Sequence, residues 1–466
     1  MNANDKDLVS IVPGLAPPAP RPVIWAFCCF LVLLGAAPWW FGSNRPEFWA
    51  LNAAAFGLLL CAAAMTHRVV IDATPLALPG LLFIGSMGWA LVQALPLTPD
   101  ILHDRYWPLA SEALGREVRG SVSLAPGLTY SALLRSLTDA AAFCVALLVV
   151  QSGQRSRSFI LGAFLLTLPP AVYAIVDLLA GSSTVLGIPK TAFRNEATGP
   201  FFNRNSMALF CGIGIVCGVD ALWRQVTARG AGARRANLLW LAVTSVGLLV
   251  LLLALLLTRS RAGVAIAGFG VLAVLALRVW LVPLPALLRG AALLALLIIT
   301  TSLTLPVVHS LAQLRGSTMS EDAVTRLEVL SMLWQAVLNR PWLGHGYGTF
   351  ELFFPTIRTD AIRPEQTWDR AHNTLLEVLA GLGLPAGLAL IGAVAALWVI
   401  CLRAALRPRG DTAAPRIACI VVAMLTLHSM LDFSLQIQSL SLLGFALLGA
   451  GVSIATLPGA GGQSKE

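Results

Sequence analysis

Residues 237–282 read NLLWLAVTSVGLLVLLLALLLTRSRAGVAIAGFGVLAVLALRVWLV, which is two apolar stretches joined by one short polar turn. Each stretch has about the 20 apolar residues that a helix needs to cross a lipid bilayer. The pattern recurs along the chain, since 57% of its 466 residues are hydrophobic and 12% are charged. Soluble domains of this size carry far more charge, and the alternating pattern of a transmembrane β-barrel is absent. The sequence therefore predicts an all-α polytopic membrane protein.

Twelve segments have the length and composition of membrane-spanning helices. They lie at about 23–41, 48–65, 76–96, 132–151, 158–180, 206–222, 237–258, 262–282, 286–307, 384–403, 416–435 and 438–457. An even number of spans puts both termini on one side of the membrane. If that side is the cytosol, its short loops hold many arginines, as the positive-inside rule requires. These are Arg68, Arg155, Arg157, Arg224, Arg229, Arg234, Arg235, Arg289, Arg403, Arg407, Arg409 and Arg416. We therefore expect an N-in/C-in topology.

Two long polar segments, at about 97–131 and 308–371, fall on the outer, periplasmic side of this topology. The second forms a large periplasmic loop between the ninth and tenth helices. The proline-rich N-terminus is expected to be a disordered cytosolic tail and not a cleavable signal peptide. The predicted regions are a tail at 1–22, helices one to nine at 23–307, the loop at 308–371, helices ten to twelve at 372–457 and a cytosolic tail at 458–466.

Residues 320–339 in the large loop are predicted to form an amphipathic helix. Acidic residues occupy its first turn, as the helix dipole favours, and Arg340-Pro341 ends it. The glycines of the following turn, at 344–348, permit close backbone approach. The expected apolar stripe of the helix consists of Leu327, Leu330, Trp334 and Val337.

Several function classes are disfavoured by what the sequence lacks. The net charge is +9, but the arginines are scattered between apolar spans, which does not suit a nucleic-acid surface. The eight cysteines lie in apolar segments without metal-ligand spacing. Nucleotide-binding loops and a nucleophile elbow are also missing. We therefore expect no metal and no cofactor, and a substrate that arrives already activated.

The stretch Arg370-Ala371-His372-Asn373 places a titratable cluster between the polar loop and an apolar helix. Ionisable groups at a membrane boundary are costly to desolvate and mark functional sites. An imidazole there can titrate near neutral pH and act as a general base. The alternative is a structural histidine whose ring is satisfied by a carbonyl group at the helix start.

Arginines on the outer side form a second group of candidates. Arg259 and Arg261 lie in a very short outer connection, where the positive-inside rule disfavours them. Their charge suits a diphosphate or an anionic headgroup, although interfacial snorkelling is the alternative. Arg326 is a further cation on the amphipathic helix, with a surface salt bridge to Glu328 or Asp322 as its alternative.

Two polar motifs complete the candidates. Asn203-Arg204-Asn205 offers donors for sugar hydroxyls or phosphate, or else a polar helix cap. His428 and Asp432 are four residues apart, so on a continuous helix they share one face and can meet. That pair either orients catalytic groups or ties helices together.

Taken together, five motifs of this chain resemble those of the O-antigen ligase/polymerase superfamily of bacterial membrane glycan transferases. The signature His-[Asn/Ser/Gln]-x9-Gly is matched by His372-Asn373 and Gly383. The segment His428-Ser-x-x-Asp432-Phe433 is similar to exopolysaccharide-type members, which favours a polymerase. The other three motifs are Gly199-Pro-Phe-Phe-Asn203-x-Asn205, Thr258-x-Ser260-Arg261-Ala-Gly263, and Arg326 followed by Trp334, Arg340-Pro341, Gly344, Gly346, Gly348 and Phe350.

The resemblance implies a GT-C-like glycosyltransferase in the bacterial inner membrane, with its active site facing the periplasm. The implied reaction is inverting and metal-independent. It moves a glycan from an undecaprenyl-diphosphate-linked donor to an acceptor glycan or to lipid A core, with a flippase and a chain-length regulator as partners. His372 is then the general base. The implied diphosphate ligands are Arg261, Arg326, Arg259 and Arg370. The implied glycan-binding or supporting residues are Asn203, Arg204, Asn205, Asn373, His428 and Asp432.

Two other classes of function remain open from the sequence. A transporter or flippase for a lipid-linked glycan would place polar groups at mid-membrane in related halves of the chain. Here the polar candidates cluster on one face, which favours the enzyme. A scaffold of an envelope-biosynthesis complex would tolerate substitution at every candidate position.

Overall fold

The computed structural model describes residues 21–66, 70–227, 234–282, 285–313, 318–360, 362, 368–407 and 411–458. Most of the two predicted tails, together with Arg68, Arg229 and Arg409, lies outside these residues. Within them the chain forms sixteen α-helices and one short antiparallel hairpin, in which Thr184–Val185 pairs with Ile188–Pro189. The helices run in chain order as α1 (Arg21–Ala36), α2 (Pro46–Thr66), α3 (Ala77–Ala94), α4 (Tyr106–Leu114), α5 (Pro126–Val149), α6 (Gly153–Leu179), α7 (Arg204–Thr227), α8 (Arg234–Leu257), α9 (Arg261–Leu281), α10 (Ala286–Gln313), α11 (Thr318–Asn339), α12 (Phe350–Ile357), α13 (Thr374–Leu382), α14 (Leu384–Ala405), α15 (Ala413–Ser429) and α16 (Gln438–Ala455).

Nine of the described helices are long and apolar enough to cross a membrane. Three shorter apolar helices lie at Ile24–Trp39, Ala286–Ser302 and Ala413–Ser429. This confirms the all-α polytopic membrane fold, and each predicted segment overlaps one of these helices. The count of twelve crossings and the orientation stay predictions, because length and composition do not define the membrane boundaries.

Helices α7 and α16 lie at the centre of the bundle, where most of their residues are buried. Helix α7 packs against α6, α8 and α9, and α16 packs against α5 and α15. Small residues permit this close packing, as is common between membrane helices. A Cβ on Gly449 would lie 2.3 Å from the carbonyl oxygen of Phe143, and one on Gly214 would lie 2.2 Å from the Thr167 hydroxyl.

The amphipathic helix is confirmed as α11, and the four residues of its apolar stripe differ in burial. Leu327 and Trp334 are 67% and 43% exposed, Leu330 is half-buried, and Val337 is buried. The buried side chains are Val329, Leu333, Ala336 and Val337, a spacing that also fits a helical face. They pack with Phe350, Phe353 and Phe354 of α12 in a hydrophobic cluster separate from the bundle core.

Candidate functional site

The turn Met430–Phe433 collects most of the predicted site residues. Helix α15 ends at Ser429, six residues before the predicted end, and the amides of Leu431 and Asp432 both donate to the His428 carbonyl at 2.9 Å. The chain then turns before a short 3₁₀ segment at Ser434–Gln436. The turn therefore presents backbone carbonyls and the Asp432 carboxylate to neighbouring segments.

Asp432 joins two of the predicted motifs. Its carboxylate is buried and accepts hydrogen bonds from Asn203 Nδ2 at 3.4 Å and Asn205 Nδ2 at 2.5 Å. The Asn205 side-chain oxygen accepts from Ser260 Oγ at 2.8 Å. Ser260 in turn caps helix α9, where its hydroxyl accepts from the amide of Gly263 at 3.2 Å. Three segments distant in sequence are thus held together by one hydrogen-bonded network.

His372 packs edge-on against this turn. Its ring lies between Trp368 and Phe433, with ring centroids 5.2 and 5.1 Å away and interplanar angles of 74° and 84°. Its backbone has φ +54°, a conformation that side chains other than glycine rarely adopt. Such conformations persist only where the surroundings impose them, and they are concentrated at functional sites.

The protonation of His372 suits a base. Its Nδ1 lies 3.1 Å from the Arg370 carbonyl oxygen, so Nδ1 donates and Nε2 keeps the lone pair. Burial lowers the pKa of the imidazole from its ordinary value, Asp432 acts in the opposite direction, and Arg326 lowers the pKa further. The ring is therefore held neutral near pH 7, as proton abstraction requires.

Arg326 and Asn373 hold the same turn through its carbonyls. Arg326 is exposed and donates from Nη1 to the Leu431 carbonyl at 3.3 Å. Asn373 donates to the Met430 carbonyl at 3.5 Å and caps α13, accepting from the amide of Leu376 at 3.1 Å. The side chain of Asp322, one predicted partner of Arg326, lies outside the described residues.

Arg259 and Arg261 lie beside the network, on either side of Ser260 at the start of α9. Arg259 is exposed and has φ +53°, and Arg261 is half-buried. A helix N-terminus carries a partial positive charge, so arginines there do not stabilise the helix. The same backbone dipole together with guanidinium groups is well suited to bind an anion.

The charge of Arg370 acts on Glu377, a carboxyl group that the sequence reasoning missed. Glu377 is buried on α13 and accepts from the Ala371 amide at 3.1 Å. Burial raises its pKa, and the nearby Arg370 charge opposes that rise. Glu377 is an acidic residue within an apolar helix. Such a residue indicates either a functional role or a buried partner, and a hydropathy profile does not detect it.

Arg135, on α5, was also missed. Its Nη1 donates to the Gln436 carbonyl at 3.3 Å, and its guanidinium lies 4.5 Å from the ring centre of Trp49. It therefore supports the 3₁₀ segment that follows the Met430–Phe433 turn. The position of Arg135 within a predicted apolar span is the sequence signal that could have identified it.

His428 and Asp432 form no hydrogen bond with each other, although the Asp432 carboxylate acts electrostatically on the His428 ring. Because α15 ends at Ser429, the two residues do not lie on one continuous helix face. His428 is fully buried, and its Nδ1 lies 2.6 Å from Ser434 Oγ, whereas Asp432 is bound by the two asparagines. His428 therefore acts on the turn through Ser434.

Arg204 points away from this network. Its buried guanidinium forms an ion pair with Glu196 and lies 4.8 Å from the ring centre of Phe193. Arg204 fixes the loop that precedes α7, and it thereby supports the positions of Asn203 and Asn205.

The glycine-rich turn at 344–348 positions the helix that follows His372. The amides of His345 and Gly346 donate to the carbonyls of Ala380 and Gly381, each at 3.0 Å. Gly344 has φ +68°, and a Cβ there would lie 2.2 Å from the Gly381 oxygen. Two of the recognised motifs thus meet backbone to backbone, which accounts physically for their glycines.

Residues 246–391 match the profile of a protein family described as O-antigen ligase. The matched region includes Arg259, Arg261, Arg326, Arg370 and His372. It confirms the resemblance to the O-antigen ligase/polymerase superfamily. The comparison with individual curated proteins gives no match. Within the described ranges, no three His, Cys, Asp or Glu side chains form a group that could hold a metal ion.

Proposed function

We propose, from the place of residues 246–391 in the O-antigen ligase superfamily, that this membrane protein transfers a glycan from undecaprenyl diphosphate to a hydroxyl of an acceptor. The observation that carries the proposal is the convergence on the Met430–Phe433 turn. It brings a neutral, strained His372 beside Asp432, Arg326 and the Asn205–Ser260 network. The proposed site faces the periplasm and the reaction needs no metal.

His372 acts on the acceptor. Its Nε2 takes the proton of an acceptor hydroxyl while that oxygen attacks the anomeric carbon of the donor sugar. The bond between this carbon and the diphosphate oxygen breaks, and undecaprenyl diphosphate leaves with the bonding electrons. Because attack and departure occur on opposite faces of the sugar, the configuration at the anomeric carbon inverts.

The arginines act on the leaving group. Negative charge grows on the bridging oxygen as the bond breaks, and fixed cations lower the energy of that transition state. Arg259 and Arg261 at the start of α9, together with Arg326 and Arg370, supply these charges. Arginine suits the task because its planar fork binds two phosphate oxygens at once.

The test is transfer by the purified chain in lipid nanodiscs without any ion gradient. An undecaprenyl-diphosphate-linked oligosaccharide serves as donor, and release of lipid diphosphate and product size are both measured. Two acceptors are compared, a second lipid-linked oligosaccharide and lipid A core. Elongation of the first identifies a polymerase, which the His428–Phe433 motif favours, and modification of the second identifies a ligase. Movement of donor across the bilayer with no transfer would support the flippase alternative and contradict the proposal.

Replacing His372 by Ala should lower transfer by about 10²–10⁴-fold, the usual contribution of a general base. His309→Ala is the matched control, since that exposed histidine lies on α10. Both proteins should reach the membrane in equal amounts. Near-normal transfer by His372→Ala would remove this residue from the mechanism.

A further inference from the structure

A second polar region lies at the other end of the bundle, far from the candidate site. Three helices show this: α7 begins at Arg204 and carries Arg224 near its end, α9 begins at Arg261 and carries Arg278 in its last turn, and α15 carries Arg416 in its first turn and ends before the Met430–Phe433 turn. At about 1.5 Å per residue, Arg261 and Arg278 are roughly 25 Å apart along α9. The second region is therefore separate from the proposed transfer site.

This end holds a cavity of about 380 Å³ with arginines on its wall. The charged and polar lining comprises Arg157, Arg224, Arg278, Arg407, Arg416, Asp411 and Thr412. Trp223, Leu281 and Val282 form its apolar rim. The lining thus brings together residues from four helices, α6, α7, α9 and α15, and from the loop between α14 and α15.

The acidic partners do not balance these arginines. Asp411 pairs with Arg157 at 2.7 Å, and the buried Asp220 pairs with both Arg224 and Arg278. Arg157, Arg224, Arg278 and Arg416 outnumber the two aspartates by two formal positive charges. Buried like charges repel one another unless an anion or further carboxylates compensate them.

Several nitrogens at this cavity lack a hydrogen-bond partner within the described part of the chain. They are Arg416 Nε, Arg224 Nη1 and Arg278 Nε. Arg416 is 7% exposed, and its Nη1 is bonded to Thr412. Asp220 Oδ2, which lies between Arg224 and Arg278, also lacks a hydrogen-bond partner among the described residues. One carboxylate oxygen cannot accept from all three guanidinium groups, so donors remain for an acceptor from outside the chain.

We propose that this cavity binds a phosphate-bearing anion through Arg416, Arg278 and Arg224. Planar guanidinium groups converging from separate helices match the tetrahedral, multiply charged phosphate. The two sources of such a group are the headgroup of an anionic phospholipid and a free phosphate or pyrophosphate. The apolar rim with Trp223 lies at the end of membrane-spanning helices, the position where aromatic side chains meet lipid headgroups.

Binding to the purified full-length chain in phosphatidylcholine nanodiscs tests the proposal. One arm adds phosphatidylglycerol to the bilayer, and the others add inorganic phosphate or pyrophosphate to the buffer. Bound lipid is counted by native mass spectrometry, and thermal stability is measured in every arm. Stabilisation by phosphatidylglycerol alone identifies the lipid headgroup, and stabilisation by either soluble anion identifies a free phosphate site. No response in any arm overturns the proposal.

Variants with opposite expected effects locate the site. Arg416→Gln should weaken binding by about tenfold, which corresponds to the loss of the hydrogen bonds from one charged group. Asp411→Asn removes a competing carboxylate while keeping the side-chain oxygen that accepts from the Ala413 amide, so it should tighten binding. Arg403→Gln is the charge-matched control, because Arg403 is exposed on α14 and does not line the cavity.

A replacement variant keeps the test possible if one of these proteins folds poorly. Should Arg416→Gln fail to reach the membrane, Arg157→Gln replaces it, since Arg157 is mostly exposed and its loss frees Asp411 to repel an anion. Equal binding by wild type, Asp411→Asn and either arginine variant would show that the cavity does not hold the anion. Transfer activity is not part of the readout, so the result does not depend on the proposed function.

Discussion

At the scale of single residues, the end of α15 at Ser429 and the turn that follows determine which candidate side chains meet. His372, Asn205, Asp432 and Arg326 were all predicted, and the structure places them around one turn. Their individual roles depend on where α15 ends, which apolar composition does not encode. The positive φ of His372 likewise follows from tertiary packing and has no local sequence signal.

The pH dependence of transfer should report the pKa of His372. The base works when deprotonated, so activity should rise with pH and reach half its maximum below the ordinary histidine pKa of about 6.5. Arg326 lowers this pKa, so Arg326→Gln should move the acid limb of kcat/KM to higher pH. Asp432 raises it, so Asp432→Asn should move the limb to lower pH. Shifts of the same sign in both variants would contradict the assignment.

Arg261→Lys should lower kcat/KM for transfer by about tenfold although the charge is kept. Lysine presents a point charge and lacks the planar fork that fits a diphosphate. The drop should be smaller with a donor that has a better leaving group, because less negative charge then needs stabilisation. Arg403→Lys provides the comparison at an exposed position. Full activity of Arg261→Lys would remove Arg261 from the diphosphate site.

At the scale of elements, hydropathy located the helices well and their faces poorly. The apolar stripe predicted on α11 is not its buried face, because Val329, Leu333 and Ala336 fill the cluster with α12. A helix in a membrane protein can expose large apolar residues to lipid, so size and hydrophobicity do not identify the inward face. The glycine turn was predicted correctly because its backbone requirement is local.

Gly344→Ala should destabilise the protein and reduce transfer. The added Cβ would meet the Gly381 oxygen at 2.2 Å in a backbone conformation with φ +68°. Strain of this kind costs on the order of 1–3 kcal/mol, and it displaces α13 and therefore His372. Gly85→Ala is the control, since it lies within α3 with no heavy atom within 4 Å of its Cβ position. Thermal unfolding in nanodiscs should show a loss for the first variant and little change for the second.

At the scale of the whole molecule, the two ends of the bundle differ in chemistry. One end carries His372, Asp432 and the Asn205–Ser260 network, and the other carries the arginine cavity. The long central helices hold these ends apart, so a substrate at one does not contact the other. The positive-inside rule predicts that the cavity end faces the cytosol and the His372 end the periplasm.

Labelling of single cysteines with a membrane-impermeant maleimide should verify this orientation. Glu112→Cys and Asp360→Cys lie in the two long polar segments at exposed positions, so both should react in intact spheroplasts. Arg403→Cys, near the end of α14 that faces the arginine cavity, should react only after the membrane is permeabilised. The chain's own cysteines lie in apolar segments or in the protein interior, and the unmodified chain measures their background labelling. Labelling of Arg403→Cys before permeabilisation would show that the topology is inverted and that the His372 site faces the cytosol. That result would contradict the proposed transfer at the periplasmic face.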